Sequence, residues 1–224
     1  MSIAGGKIPL DQCETIMKII LAAVKSTSDN HIDSEPIPVS VFNRHVHLMQ
    51  EDLEKLFGAG YELTKFEDLS QPGRFICKEN VAVCGPNGTI EKVQILGPVR
   101  KASQVEILAS DYLKLGIEAP VRLSGECAGT PGITLVGPKG STQIESGVMV
   151  EKRHIHMSPA DAEHLGIQNG ESVCIEVGGE RGGILRNTII CVADGSILEC
   201  HLDVDEANAM GLDSSSTVRI IHER

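Results

Sequence analysis

At 224 residues the chain is long enough for one large domain or two small ones, and its 41% hydrophobic and 23% charged residues are those of an ordinary globular protein. A formal net charge of −11 with no Lys/Arg block excludes a nucleic-acid or anionic-membrane surface, and no run reaches the roughly 20 apolar residues of a membrane span. Seven scattered cysteines without a CxxC pair exclude a disulfide framework and a zinc ribbon, and point to a reducing, cytoplasmic compartment.

In chain order, Leu10, Cys13, Ile16, Met17, Ile20, Leu21 and Val24 recur at three- and four-residue spacings. That stripe predicts an amphipathic helix within residues 1–33, followed by the linker STSDNHIDSEPIP. The rest is mainly β: short β-branched runs such as IPVSVF, RFICKENVAVCG, SVCIEVGG and STVRIIHE, cut by turn signals at Pro86-Asn87-Gly88, Pro138-Lys139-Gly140 and Ala193-Asp194-Gly195. Two short helices are expected, over QEDLEKLFG and over SPADAEHLGI. The second starts clearly, with Ser158 as N-cap and Pro159 at the first helical position, whereas the first has Met49 in the capping place.

Each helix follows an Arg-His-aliphatic-His tetrapeptide, in FNRHVHLMQEDLEKLFG and EKRHIHMSPADAEHLGI. The copies begin their histidine pairs at His45 and His154, a spacing of 109 residues, which suits a duplicated domain of ~100 residues. Side chains alternate faces along a strand, so His45 with His47, and His154 with His156, each converge on one point. Such a pair supplies two of the three protein ligands that catalytic zinc commonly keeps. Polar pairs on a half-exposed sheet are the alternative. His201, in a strand before an acidic turn, is the candidate third ligand for the second pair, against a core histidine bonded to backbone. For the first pair the candidate is Glu106, with Arg100 six residues earlier as an anion clamp. Arg44 and Arg153 should point away from their neighbouring histidines into structural pairs. His31, His164 and His222 are expected in solvent, and Cys127, in GECAGTPG, as a small buried residue.

Together VFNRHVHL, DLSQPGRF, ILGPVRKASQVEI, GVMVEKRHIHMSPADAEHLGI and HLDVDEANAMGL resemble the PduL-type phosphate propanoyltransferases, from about Pro36 to the end. The resemblance implies two β-barrel domains capped by short α-helices, a two-zinc site between them, and reversible conversion of acyl-CoA and phosphate to acyl phosphate and CoA. We place the domains at 34–44 with 152–224 and at 45–151, after the N-terminal segment 1–33. By motif, one Zn2+ falls on His45, His47 and Glu106 with the coenzyme sulfur as fourth ligand, and the other on His154, His156 and His201. Arg100 matches the phosphate-holding arginine, and Asn208, with His201, lies where the coenzyme binds. Gln94 stands where relatives are expected to have arginine.

The implied partners are acyl-CoA, CoA and phosphate. Residues 1–33 match a helix that some members use to enter bacterial microcompartments through shell or lumen proteins. The same stripe could pack on its own barrel or within a homo-oligomer. The competing readings are a binuclear zinc hydrolase and a non-enzymatic metal-binding module.

Overall fold

The computed structural model describes Lys18 and residues 35–221, so the expected N-terminal helix (Lys18 apart), His31 and His222 lie outside the described residues. Fifteen strands follow in chain order: β1 Ile37–Phe42, β2 His45–His47, β3 Lys65–Asp68, β4 Phe75–Cys84, β5 Thr89–Gly97, β6 Gln104–Glu106, β7 Val121–Arg122, β8 Ile133–Val136, β9 Ser141–Ile144, β10 Val148–Glu151, β11 His154–Met157, β12 Ser172–Val177, β13 Gly183–Val192, β14 Glu199–Asp203 and β15 Thr217–Ile221. Among residues 35–221 four short α-helices interrupt them: α1 Gln50–Phe57, α2 Tyr112–Leu115, α3 Pro159–Leu165 and α4 Val204–Met210. The mainly β architecture with short capping helices is as expected, and no helix among the described residues is long and apolar enough to cross a membrane.

The strands form two units. Strands β1, β14, β11, β13, β12 and β15 close into a barrel, while the other nine form a half-barrel ordered β7-β10-β6-β2-β5-β4-β8-β9, with β3 on β4. Alternation of buried and exposed residues, visible along β4 and β9, gives each sheet one apolar face. Those faces enclose separate cores, one including Val46, Leu53, Leu56, Ile95 and Leu135, the other Ile37, Ile155, Ile175, Ile190 and Ile220. Each such side chain contributes about 1.5–3 kcal/mol of burial.

The chain changes sheet twice, at equivalent places. Phe42 ends β1 in the barrel and, after Asn43 and Arg44, His45 opens β2 in the half-barrel; Glu151 ends β10 in the half-barrel and, after Lys152 and Arg153, His154 opens β11 in the barrel. Both crossovers therefore deliver a His-x-His strand to the junction.

Both strands then run into a helix, and the two helix starts solve the same problem differently. In α3, the Ser158 hydroxyl donates to Asp161 Oδ2 at 2.7 Å and accepts from Asp161 N at 3.2 Å. Gly166, left-handed at φ 66°, ends it. Met49 cannot cap α1, so a hydroxyl comes from elsewhere: Ser103 Oγ accepts from Met49 N at 3.0 Å and donates to Asp52 Oδ2 at 2.7 Å. The weaker cap expected for the first helix is thus replaced by a tertiary one.

Candidate active site

The two histidine pairs sit in identical ladders. Strand β2 has a parallel neighbour, β5, and an antiparallel one, β6, that sets Glu106 opposite His45. Strand β11 has a parallel neighbour, β13, and an antiparallel one, β14, that sets His201 opposite His154. Within each trio the candidate donor atoms lie within 4.8 Å of one another. The structure thus brings together His45, His47 and Glu106, and separately His154, His156 and His201; strand spacing accounts for the two histidine pairs, and the ladder partners supply the third member of each.

The backbone fixes how the rings present themselves. Nδ1 of His45 lies 2.9 Å from the Asn43 carbonyl, and Nδ1 of His154 lies 2.9 Å from the Lys152 carbonyl. A carbonyl only accepts, so Nδ1 carries the proton in each and Nε2 faces the trio. His47 is set likewise, its Nδ1 3.1 Å from the Leu96 carbonyl. His45 Nε2 then faces Glu106 Oε2 at 3.0 Å, an oxygen that has no hydrogen-bond donor. Two lone-pair atoms at that distance need a proton or a cation between them. His154 Nε2 and His156 Nε2 approach to 3.1 Å in the same way. Both donor sets suit a divalent transition metal such as zinc.

The two trios differ in charge. Burial opposes ionisation of both His45 and Glu106, but their mutual attraction wins, raising the imidazole and holding the carboxyl well below its usual range. Burial and the neighbouring His45 charge push His47 down to about 2. In the second trio burial and the other imidazoles push His154 to about 4 and His156 to about 3. That pair is neutral at pH 7, as metal binding requires.

Both trios adjoin one narrow cavity, whose wall includes Phe42, His45, His47, Arg74, Glu151 and His201. Arg100 reaches that wall through Ser124, to whose hydroxyl its Nη1 donates at 2.8 Å; the same hydroxyl donates to Glu106 Oε1 at 2.9 Å. Asn208 is exposed on α4, outside this wall. Arg44 and Arg153 turn away from the trios, pairing with Asp111 at 2.7 Å and Glu206 at 2.5 Å. Cys127 is half-buried and its thiol is raised by burial, which does not make a nucleophile. Gln94, opposite His45 across the ladder, donates its amide to the Cys77 and Glu79 carbonyls. His164 is exposed.

Two carboxylates escaped the sequence reading. Glu151 neighbours Glu106, and burial and that neighbouring charge raise its carboxyl well above the usual range; one of its oxygens is 3.9 Å from His154 Nε2. Glu199 accepts from Ser70 at 2.5 Å and lies 2.8 Å from His201 Nε2. Signals existed for both. Glu199 is two residues before His201 on the same strand face, and Glu151 occupies, in the second copy, the place of Phe42 in the first.

A family model described as phosphate propanoyltransferase matches residues 38–213. The chain belongs to the phosphate propanoyltransferase family. Relatives of that name include one from Thermotoga maritima, 50% identical over 186 residues that span 83% of this chain and 89% of the relative. Another, from Rhodopseudomonas palustris, is 45% identical over 194 residues, 87% and 86% of the two chains. A third, from Rhodobacter capsulatus, is 44% identical over 209 residues, 92% and 97%. As a member of the phosphate propanoyltransferase family, the chain is an enzyme of the acyltransferase class.

Proposed function

We propose that the enzyme interconverts acyl-CoA plus phosphate with acyl phosphate plus CoA, taking propanoyl or acetyl groups, at a centre holding two zinc ions. The observation that carries this reading is the pair of donor trios beside one cavity, with Arg100 tied through Ser124 to Glu106. His45, His47 and Glu106 hold one cation and His154, His156 and His201 the other; the orphaned Glu106 Oε2 and the facing ring nitrogens are what such ions would satisfy. Bound zinc supplies Lewis-acid stabilisation to the departing thiolate and to the phosphate.

The rest is positioning by this chain's residues. Arg100 offers a planar fork to two phosphate oxygens and aims a third at the thioester carbonyl carbon. The C–O bond forms, the C–S bond breaks, and its electron pair leaves on the coenzyme sulfur, with no acyl-enzyme. Asn208 and His201 are assigned to the coenzyme side. The halves 34–44 with 152–224 and 45–151 each supply one trio, and residues 1–33 address the enzyme to a bacterial microcompartment. Puncta from a fluorescent protein fused to 1–33, lost on Ile20→Glu, support that address; diffuse signal rejects it.

The deciding assay follows thiol release from propanoyl-CoA and acetyl-CoA with a thiol-reactive dye. Release that requires phosphate supports the acyltransferase reading. Release in phosphate-free buffer instead identifies a binuclear hydrolase, and none at all leaves a metal-binding module.

A further inference from the structure

One stretch, DLSQPGRF, is left without a part in the reaction above. It joins β3 to β4 in the half-barrel and is tied to the barrel. Ser70 Oγ donates to Glu199 Oε2 at 2.5 Å, Gln71 Nε2 donates to the Ile197 carbonyl at 2.9 Å, and Ile197 N donates back to Gln71 Oε1 at 3.2 Å. A loop so fixed holds its end in place, and at that end is Arg74.

Arg74 is half-buried and belongs to the walls of two adjoining cavities, one with His45, Glu151 and His201, the other with His156 and Cys191. Arg44 and Arg153 have carboxylate partners, whereas the Arg74 guanidinium makes no hydrogen bond or ion pair to any other described residue. A guanidinium has five N–H donors in a rigid fork, and half-burying it unpaired is costly unless a ligand completes it.

The two guanidinium groups stand on different sides. Arg74 shares one wall with His201 and the other with His156, whereas Arg100 is tied through Ser124 to Glu106.

We propose that Arg74 is a second anion-holding residue, gripping the phosphoryl group over the His154, His156 and His201 trio while Arg100 approaches from the His45, His47 and Glu106 trio. This rests on the acyl-transfer reading above. Two forks set the anion's orientation more tightly than one, and neither makes or breaks a covalent bond. The phosphates of the coenzyme are the other source of the same chemistry, and the test separates them.

Zinc-loaded full-length enzyme is compared with Arg74→Gln and Arg74→Lys. The expected result is a KM for phosphate raised about tenfold or more in Arg74→Gln, a smaller rise in Arg74→Lys, an acyl-CoA KM within about twofold, and unchanged zinc content. An unchanged phosphate KM, or a rise confined to acyl-CoA, overturns the assignment. Calorimetric titration with inorganic phosphate runs alongside. If wild-type enzyme shows no phosphate-dependent turnover, the acyl-transfer reading fails by itself, and the titration still decides Arg74: binding weakened in Arg74→Gln supports it, and equal or absent binding overturns it.

Discussion

The two histidine trios share a backbone and differ in the side chains that set charge. Each begins after a two-residue crossover from a strand of the other sheet, each anchors its first Nδ1 on a carbonyl of the crossover, and each takes its third donor from an antiparallel neighbour. Against that common frame, one third donor is Glu106 and the other His201. The residue ending the preceding strand is Phe42 in the first copy, its ring 4.7 Å from that of His201, and Glu151 in the second, whose carboxyl is raised by burial and by the neighbouring Glu106. With a divalent cation in each, the first trio keeps one positive charge less. Loaded in that way, the common frame would hold two unequal electrophilic positions, the less positive suited to a thiolate and the more positive to a phosphate.

The largest effect should come from erasing either half. His45→Ala and His154→Ala are each expected to lower turnover by about 10³-fold or more and to reduce zinc from two ions per chain to one, while the β signature in circular dichroism persists. Loss of the fold in either variant would make that zinc structural, and two zinc ions in both would dissolve the assignment of donors.

A subtler change makes the two trios alike. Glu106→His gives the first the donor set of the second, so zinc should stay while kcat falls about 10²-fold, because the extra positive charge holds the leaving thiolate too tightly. Metal analysis beside steady-state kinetics checks it; a variant with wild-type kcat would show that the charge difference has no part in catalysis. Arg100→Lys keeps charge but loses the fork that spans two oxygens, and should cost about 10- to 100-fold in kcat/KM for phosphate. A near-normal value would remove Arg100 from the anion.

Much of this was legible in the sequence because strand periodicity is local. His-x-His fixes two side chains on one face without knowledge of the fold, and the turning away of Arg44 and Arg153, into pairs with Asp111 and Glu206, follows from the same alternation. The pairing of β2 with β6 and of β11 with β14 is not local, so Glu106 and His201 could be nominated from context, but their position opposite His45 and His154 is a tertiary fact. Glu151 and Arg74 were missed for the same reason. Nothing in ECHL, GVMVEK or QPGRF says that these segments meet, since the contacts join residues on opposite sides of the sheet junction.

The smallest expected effect concerns the helix starts, where the copies solve one problem with different reach. Asp52 and Asp161 occupy the same place, seven residues after the first histidine of each pair. Asp161 serves a local capping box with Ser158, whereas Asp52 is buried and accepts from Ser103, Thr142 and Lys55 at 2.7, 2.8 and 3.0 Å. Asp161→Ala should cost about 1 kcal/mol, a cap's worth. Asp52→Ala strands two buried hydroxyls as well and should cost about 2–3 kcal/mol. Burial alone would raise the Asp52 carboxyl, but the hydrogen bonds from Ser103, Lys55 and Thr142 hold it below its ordinary value. A carboxylate depressed in the folded state stabilises above its unfolded pKa, and that contribution vanishes as pH falls through the folded one. The gap between wild type and Asp52→Ala in urea melts should therefore be full at pH 7 and shrink below about pH 4. A gap that stays constant down to pH 3 would mean that Asp52 acts through packing and not through its charge.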